Sequence, residues 1–190
     1  MDKKKTLLIL VLVLALLIAG ATVLYNRLGE NYAPQQLAVP ETQPEGTAPN
    51  RIKAPDFTVY DEAGNEVKLS DYFGKPIVLN FWASWCGPCK MEMPDFNEKS
   101  QELEGKVQFL MINMTDGNRE TVETASAFIK EQGYTFPVFY DTASMAAYIY
   151  GAYSLPTSFF IDAEGYAVAQ AVGAISGTDL QRGIDMIYQP

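Results

Sequence analysis

Asn80-Phe81-Trp82-Ala83-Ser84-Trp85-Cys86-Gly87-Pro88-Cys89-Lys90 holds the only two cysteines of this 190-residue chain, at the end of an apolar run that begins at Ile77. A strand of that composition, followed by Gly-Pro and a helical pattern, delivers Cys86 to the start of a helix. There its sulfur faces unpaired backbone N–H groups and the positive end of the helix dipole, which favour thiolate over thiol. Thiolate is the form that attacks disulfides, so the pair reads as an exchange site.

Other uses of two cysteines fit less well. A tetrahedral zinc site needs about four Cys, His or carboxylate ligands, and this chain has no histidine and no third cysteine. Attachment of c-type haem requires His directly after the second cysteine, where Lys90 stands. A purely structural disulfide across two intervening residues closes too small a loop to restrict the unfolded chain much.

With 48% hydrophobic and 12% aromatic residues the chain can build one real core. Residues 1–5 form a short basic head, Asp2-Lys3-Lys4-Lys5, ahead of an uncharged stretch from Thr6 to Tyr25. As a helix, that stretch spans roughly 30 Å, the thickness of a bilayer core, so residues 6–25 read as a transmembrane anchor. The alternative is a cleaved signal peptide ending near Ala19-Gly20-Ala21, although the apolar run is longer than a usual signal core. Three lysines precede the span and Arg27 alone follows closely, which puts the N-terminus in the cytoplasm and the rest outside. No cysteine lies near the span to take a lipid. Without the first five residues, 14 basic and 23 acidic side chains fall to 11 and 22. Such an acidic surface argues against nucleic acid or anionic lipid as a partner of the exported part.

Residues 26–53, with scattered prolines and no periodic apolar face, read as a flexible linker. From residue 54 to 190 the pattern is that of one α/β domain. Phe57–Tyr60 and Glu66–Leu69 form a hairpin turning at Gly64-Asn65, and 70–73 a short helix or turn. Residues 76–83 form a central strand buried on both faces. A helix follows over 88–104, with Met93, Phe96, Ser100 and Leu103 as its inward stripe. Then come a strand over 107–113, a helix over 119–132 ended by Gly133, a short strand over 137–140 and a helix over 142–150. Strands at 157–161 and 167–172 pair across Asp162–Gly165, and a last helix covers 177–188. Asn113-Met114-Thr115 matches a glycosylation acceptor, but at a strand end it reads as chance.

The chain resembles the thioredoxin-fold proteins, and more narrowly the membrane-anchored thiol-disulfide oxidoreductases of the TlpA and ResA type. The resemblance covers about Ala54 to Tyr188. It rests on the segment from Asn80 to Lys90, on Glu92 and Pro94 after it, and on Leu155-Pro156-Thr157 leading into a strand. It implies a mixed central sheet flanked by helices, an N-terminal hairpin and an inserted helix–strand unit, the last matching the 67 positions from Cys89 to Pro156. Cys86 is then the exposed attacking sulfur and Cys89 the resolving one. Trp85, Gly87, Pro88, Leu155 and Pro156 border the substrate, Pro156 in the cis form. The acidic position of the group falls on Glu92, which has two readings: proton handling beside the cysteines, or a carboxylate stabilising the start of its helix. Asn80 stands where thioredoxin carries a titratable aspartate. Trp82 reads as core.

The resemblance also implies a function: reduction of disulfides in exported proteins, apocytochrome c among the family's substrates, with no cofactor beyond the cysteine pair and a membrane-embedded thiol donor to recharge it. Gly87-Pro88 is the dipeptide of reducing thioredoxins. Two rivals are a copper metallochaperone of the same fold, suggested by Met91 and Met93 beside the cysteines, and a thiol peroxidase, for which no further cysteine speaks.

Overall fold

The computed structural model describes residues 12–13, two helical and exposed positions, and residues 52–189. The expected basic head, most of the expected anchor and the linker up to Arg51 lie outside the described residues. The domain is one eight-stranded mixed sheet with helices on both faces. Its strands are β1 (Ile52–Lys53), β2 (Thr58–Tyr60), β3 (Glu66–Lys68), β4 (Ile77–Trp82), β5 (Gln108–Asn113), β6 (Val138–Tyr140), β7 (Thr157–Ile161) and β8 (Tyr166–Val172). Its helices are α1 (Gly87–Glu102), α2 (Val122–Gln132), α3 (Met145–Tyr150) and α4 (Gly177–Ile187), with a 3-10 turn at Leu69–Tyr72. Across the sheet the order is β1-β8-β7-β4-β5-β6-β2-β3. β4, β5 and β6 run parallel and the remaining neighbours antiparallel.

Strand periodicity divides the core. Every residue of β4 is buried, and because successive side chains point to opposite faces, Val78 and Trp82 pack under α1 and α4 while Ile77, Leu79 and Phe81 pack under α3 and the hairpin. β5 repeats the division, with Phe109 and Met111 on the first face and Leu110 and Ile112 on the second. Asn80 shares its strand face with Val78 and Trp82, which turns its amide toward α1. Between α1 and β7 the chain runs through β5, α2, β6 and α3.

Four boundaries differ from the sequence reading by two residues or more. Ile52–Lys53, placed by sequence in the linker, forms the edge strand β1, pairing with Ala167 and Tyr166. The Lys53 ammonium sits 4.9 Å from the Phe73 ring centre and 4.8 Å from that of Tyr166, a double cation–π contact that fixes the start of the domain. The helix expected from 142 starts at Met145, because Ser144 takes a left-handed conformation. The buried Asp141 carboxylate then accepts the N–H groups of Met145 and Ala147. The helix expected from 119 starts at Val122, where Thr121 and Thr124 cap each other. The helix expected to run to 104 ends at Glu102.

α4 carries a glycine at its most crowded point. A Cβ on Gly183 would collide with the Phe160 ring, a buried side chain of β7. Gly183→Ala is therefore expected to destabilise the domain by about 1–3 kcal/mol through overpacking, read as a lower urea midpoint with an unchanged slope.

Candidate active site

β4 ends at Trp82, and the chain turns at Ala83–Trp85 so that Cys86 becomes the N-cap of α1. The Cys86 sulfur accepts the Cys89 N–H at 3.2 Å, one of the orphan donors of the first helical turn. Pro88 occupies the first turn, where its missing N–H is not needed. Cys86 and Cys89 form a disulfide with Cα atoms 5.3 Å apart.

The two sulfurs differ in access. Cys89 is fully buried, whereas Cys86 borders an open groove of about 830 Å³. The sequence reading made Cys86 an exposed sulfur, and this needs correction: the residue is only 4% exposed and meets solvent through the groove. Its sulfur is bonded to Cys89 and accepts the Cys89 N–H, so it faces the first turn of α1. Trp85, Gly87 and Pro88 line this groove together with Leu155, Tyr148 and Tyr153. Tyr148 and Tyr153 are largely exposed, as is Trp85 at 41%. The Leu155–Pro156 bond is cis, as expected. Pro156 itself is buried and does not line the groove, so of the two residues expected on the substrate side of this loop only Leu155 does so.

Glu92 lies three residues past Cys89, beyond the first turn of α1, and is 2% exposed. One carboxylate oxygen accepts Asn80 Nδ2 at 2.8 Å and the other the Ile175 N–H at 2.9 Å. Burial pushes its pKa up to about 7; the Ile175 and Asn80 donors pull against this and the Asp95 charge adds to it. Depth and position leave little of the dipole reading, since that effect is confined to the first turn. The second hydrogen of the Asn80 amide goes to Ser158 Oγ at 2.9 Å, while Asn80 Oδ1, like Trp82 Nε1, has no hydrogen-bond partner among the described residues. Trp82 is core, as read from the sequence.

Several site residues were missed from sequence. Arg119 and Glu120, read as the first turn of a helix, lie instead in a loop folded against the cysteine segment. The Arg119 guanidinium stacks 3.8 Å from the centre of the Trp85 ring. Glu120, fully buried, bonds to Ser84 and Asn113. Asn113, matched to a glycosylation acceptor by sequence, is itself buried and engaged in that contact. Tyr148 and Tyr153 carried no signal beyond being aromatic.

A buried thiol partner, a groove-facing one and a buried carboxylate titrating near neutrality can together carry out dithiol exchange. The comparisons agree. Residues 51–169 match the AhpC/TSA family. The thiol-disulfide oxidoreductase ResA of Geobacillus thermodenitrificans is 33% identical over 98% of this chain and 99% of its own. ResA of Geobacillus kaustophilus is 36% identical over 70% of this chain and 75% of its own. Among solved structures, a thiol:disulfide interchange protein DsbE of Chlorobium tepidum superposes with a TM-score of 0.64 at 32% identity, covering 73% of this chain and 96% of that one. StoA of Bacillus subtilis does so with 0.59 at 25%, covering 68% and 96%. The chain therefore belongs to the AhpC/TSA family, as a thioredoxin-fold thiol-disulfide oxidoreductase of the ResA type.

Proposed function

We propose that this protein is an extracytoplasmic reductant of disulfides in exported proteins, held to the cell membrane by residues 6–25 with its N-terminus in the cytoplasm. The observation that carries this reading is the Cys86–Cys89 pair itself, one sulfur on a substrate-sized groove and the other sealed behind it. The Cys86 thiolate attacks a substrate disulfide, forming a mixed disulfide and releasing one substrate thiol. Cys89 then attacks Cys86, releasing the second thiol and leaving this protein oxidised. Two electrons pass to the substrate. The pair needs no other cofactor, and a membrane-embedded thiol carrier returns the electrons. An apocytochrome c awaiting haem, whose paired cysteines must be reduced, suits the cycle and the ResA relatives.

Glu92 supplies or accepts protons near the pair, as a carboxyl titrating near 7 does efficiently. The copper alternative gains nothing from the methionines, since Met93 is buried in the core and Met91 is 70% exposed on another face of α1.

Direction is tested by the reduction potential of the domain, equilibrated with dithiothreitol or glutathione. We expect a value near that of reducing thioredoxins, about −270 mV, rather than that of strong oxidants, about −120 mV. The gap of about 150 mV corresponds to about 7 kcal/mol, more than neighbouring residues easily offset. A potential at the oxidising end would make the protein an oxidase.

A further inference from the structure

Glu120 is fully buried at the meeting of three segments. Its Oε1 accepts the Ser84 N–H and Asn113 Nδ2, both at 2.7 Å, and its Oε2 accepts Ser84 Oγ at 2.6 Å. Ser84 is two residues before Cys86, and Asn113 ends β5. A carboxyl group at this depth is costly to desolvate, and an apolar side chain would fill the space without that cost. What an apolar side chain could not do is tie the turn before Cys86 to the sheet.

The loop that carries Glu120 is itself closed. Asp116 Oδ1 accepts the N–H groups of Asn118 at 2.8 Å and Glu120 at 2.9 Å, and the Gly117 N–H donates to the Glu120 carbonyl at 3.0 Å. Anchoring Glu120 thus also places its neighbour Arg119, whose guanidinium covers the Trp85 ring at 3.8 Å. Trp85, Arg119 and Asp116 all line the groove that reaches Cys86.

We propose that Glu120 is a positioning residue for the exchange reaction, acting through Ser84 and through the Arg119–Trp85 stack to hold the groove wall beside Cys86 in its reactive arrangement. Substrate and thiolate meet in the geometry this wall sets. Small misplacements at a reacting centre are worth large factors in rate.

The test compares Glu120→Ala, Glu120→Gln, Ser84→Ala and Arg119→Ala in the full protein, by the kcat/KM of thiol-disulfide exchange and by acrylamide quenching of tryptophan fluorescence. Trp82 is fully buried, so the quenchable signal reports Trp85. Glu120→Ala is expected to lose on the order of 10- to 100-fold in kcat/KM and to make Trp85 more quenchable. Glu120→Gln is expected to recover both, because its oxygen can accept from Ser84 N–H and Asn113 while its amide donates to Ser84 Oγ. Arg119→Ala, a surface change, should raise quenching and lower kcat/KM, with Ser84→Ala intermediate. A role in folding alone would lower the melting temperature of Glu120→Ala and leave its kcat/KM and its Trp85 quenching at the wild-type values, and that outcome overturns the proposal. Should Glu120→Ala not fold, wild-type exchange and quenching in both Arg119→Ala and Ser84→Ala overturn it equally. The proposal rests on exchange at Cys86, and the assay reads exchange in either direction, so it stands or falls apart from the reductant role.

Discussion

Cys89→Ser is expected to convert the protein into a trap. Cys86, bordering the groove, still attacks a substrate disulfide, but the sealed sulfur that would resolve the product is gone, so one mixed disulfide accumulates per molecule. Cys86→Ser is expected to reduce turnover to the uncatalysed background, because the remaining thiol is fully buried and cannot meet a protein disulfide. The check is a non-reducing gel of both variants from cells, with the captured species released by dithiothreitol and identified. Full turnover in Cys89→Ser would refute a two-thiol cycle. A captured protein bonded through Cys89 in Cys86→Ser would reverse the assignment of attacker and resolver. The captured protein names the substrate class, and an apocytochrome c among the captives would support the maturation role.

The placement of the pair was legible because the features that fix it are local. An apolar run buried on both faces, a turn and a helix start place Cys86 at an N-cap whatever the rest of the chain does. The sheet was legible for the same reason: β4, β5 and β7 announce themselves by composition and length. The loop that packs on the cysteine segment was not. Arg119 and Glu120 sit directly before a true helical stripe of Val122, Ala125, Phe128 and Ile129, and nothing in that periodicity says where it begins; the reciprocal Thr121–Thr124 cap does. The value of Glu120 lies in contacts with Ser84, 36 positions earlier, which no window of sequence contains. β1 is two residues long, too short for alternation to show, and exists through its pairing with β8. The burial of Glu92 likewise depends on Asn80 and on Ile175, 83 positions away. The resemblance marked Glu92 as acidic and near the pair, and the fold adds that it titrates near neutrality.

That titration has a stability consequence of fixed sign. The Glu92 carboxyl has its pKa raised from 4.5 to about 7 by folding. Below about pH 4.5 both folded and unfolded chains hold the proton, and the contribution to stability is fully present. Between 4.5 and 7 the unfolded chain releases it while the folded chain keeps it, so stability falls as pH rises, and it levels off above 7. At 1.36 kcal/mol per pKa unit the loss from this one group approaches about 3 kcal/mol, an upper figure because the site can relax around the charge. Glu92→Gln removes the proton and with it the slope. Its oxygen can take the Ile175 N–H, and rotation of the Asn80 amide brings the unpartnered Oδ1 round to accept from the new amide, with Ser158 Oγ turning to donate. The same rotation serves neutral Glu92, so Asn80 can match either protonation state where a second carboxylate could not. Urea unfolding of the oxidised domain at pH 4, 6 and 8 is therefore expected to show Glu92→Gln gaining on wild type as pH rises, by up to about 3 kcal/mol between the extremes. Its exchange rate should meanwhile lose the pH step near 7 and fall below wild type, because a group matched in pKa to the reaction has been replaced by one that cannot carry a proton. A stability difference that stays constant across the range would place the titration of Glu92 elsewhere, and an unchanged pH–rate profile would remove it from the proton path. Gain in stability with loss of rate is the signature of a carboxyl kept buried for its chemistry, and a carboxyl kept for packing alone would give the first without the second.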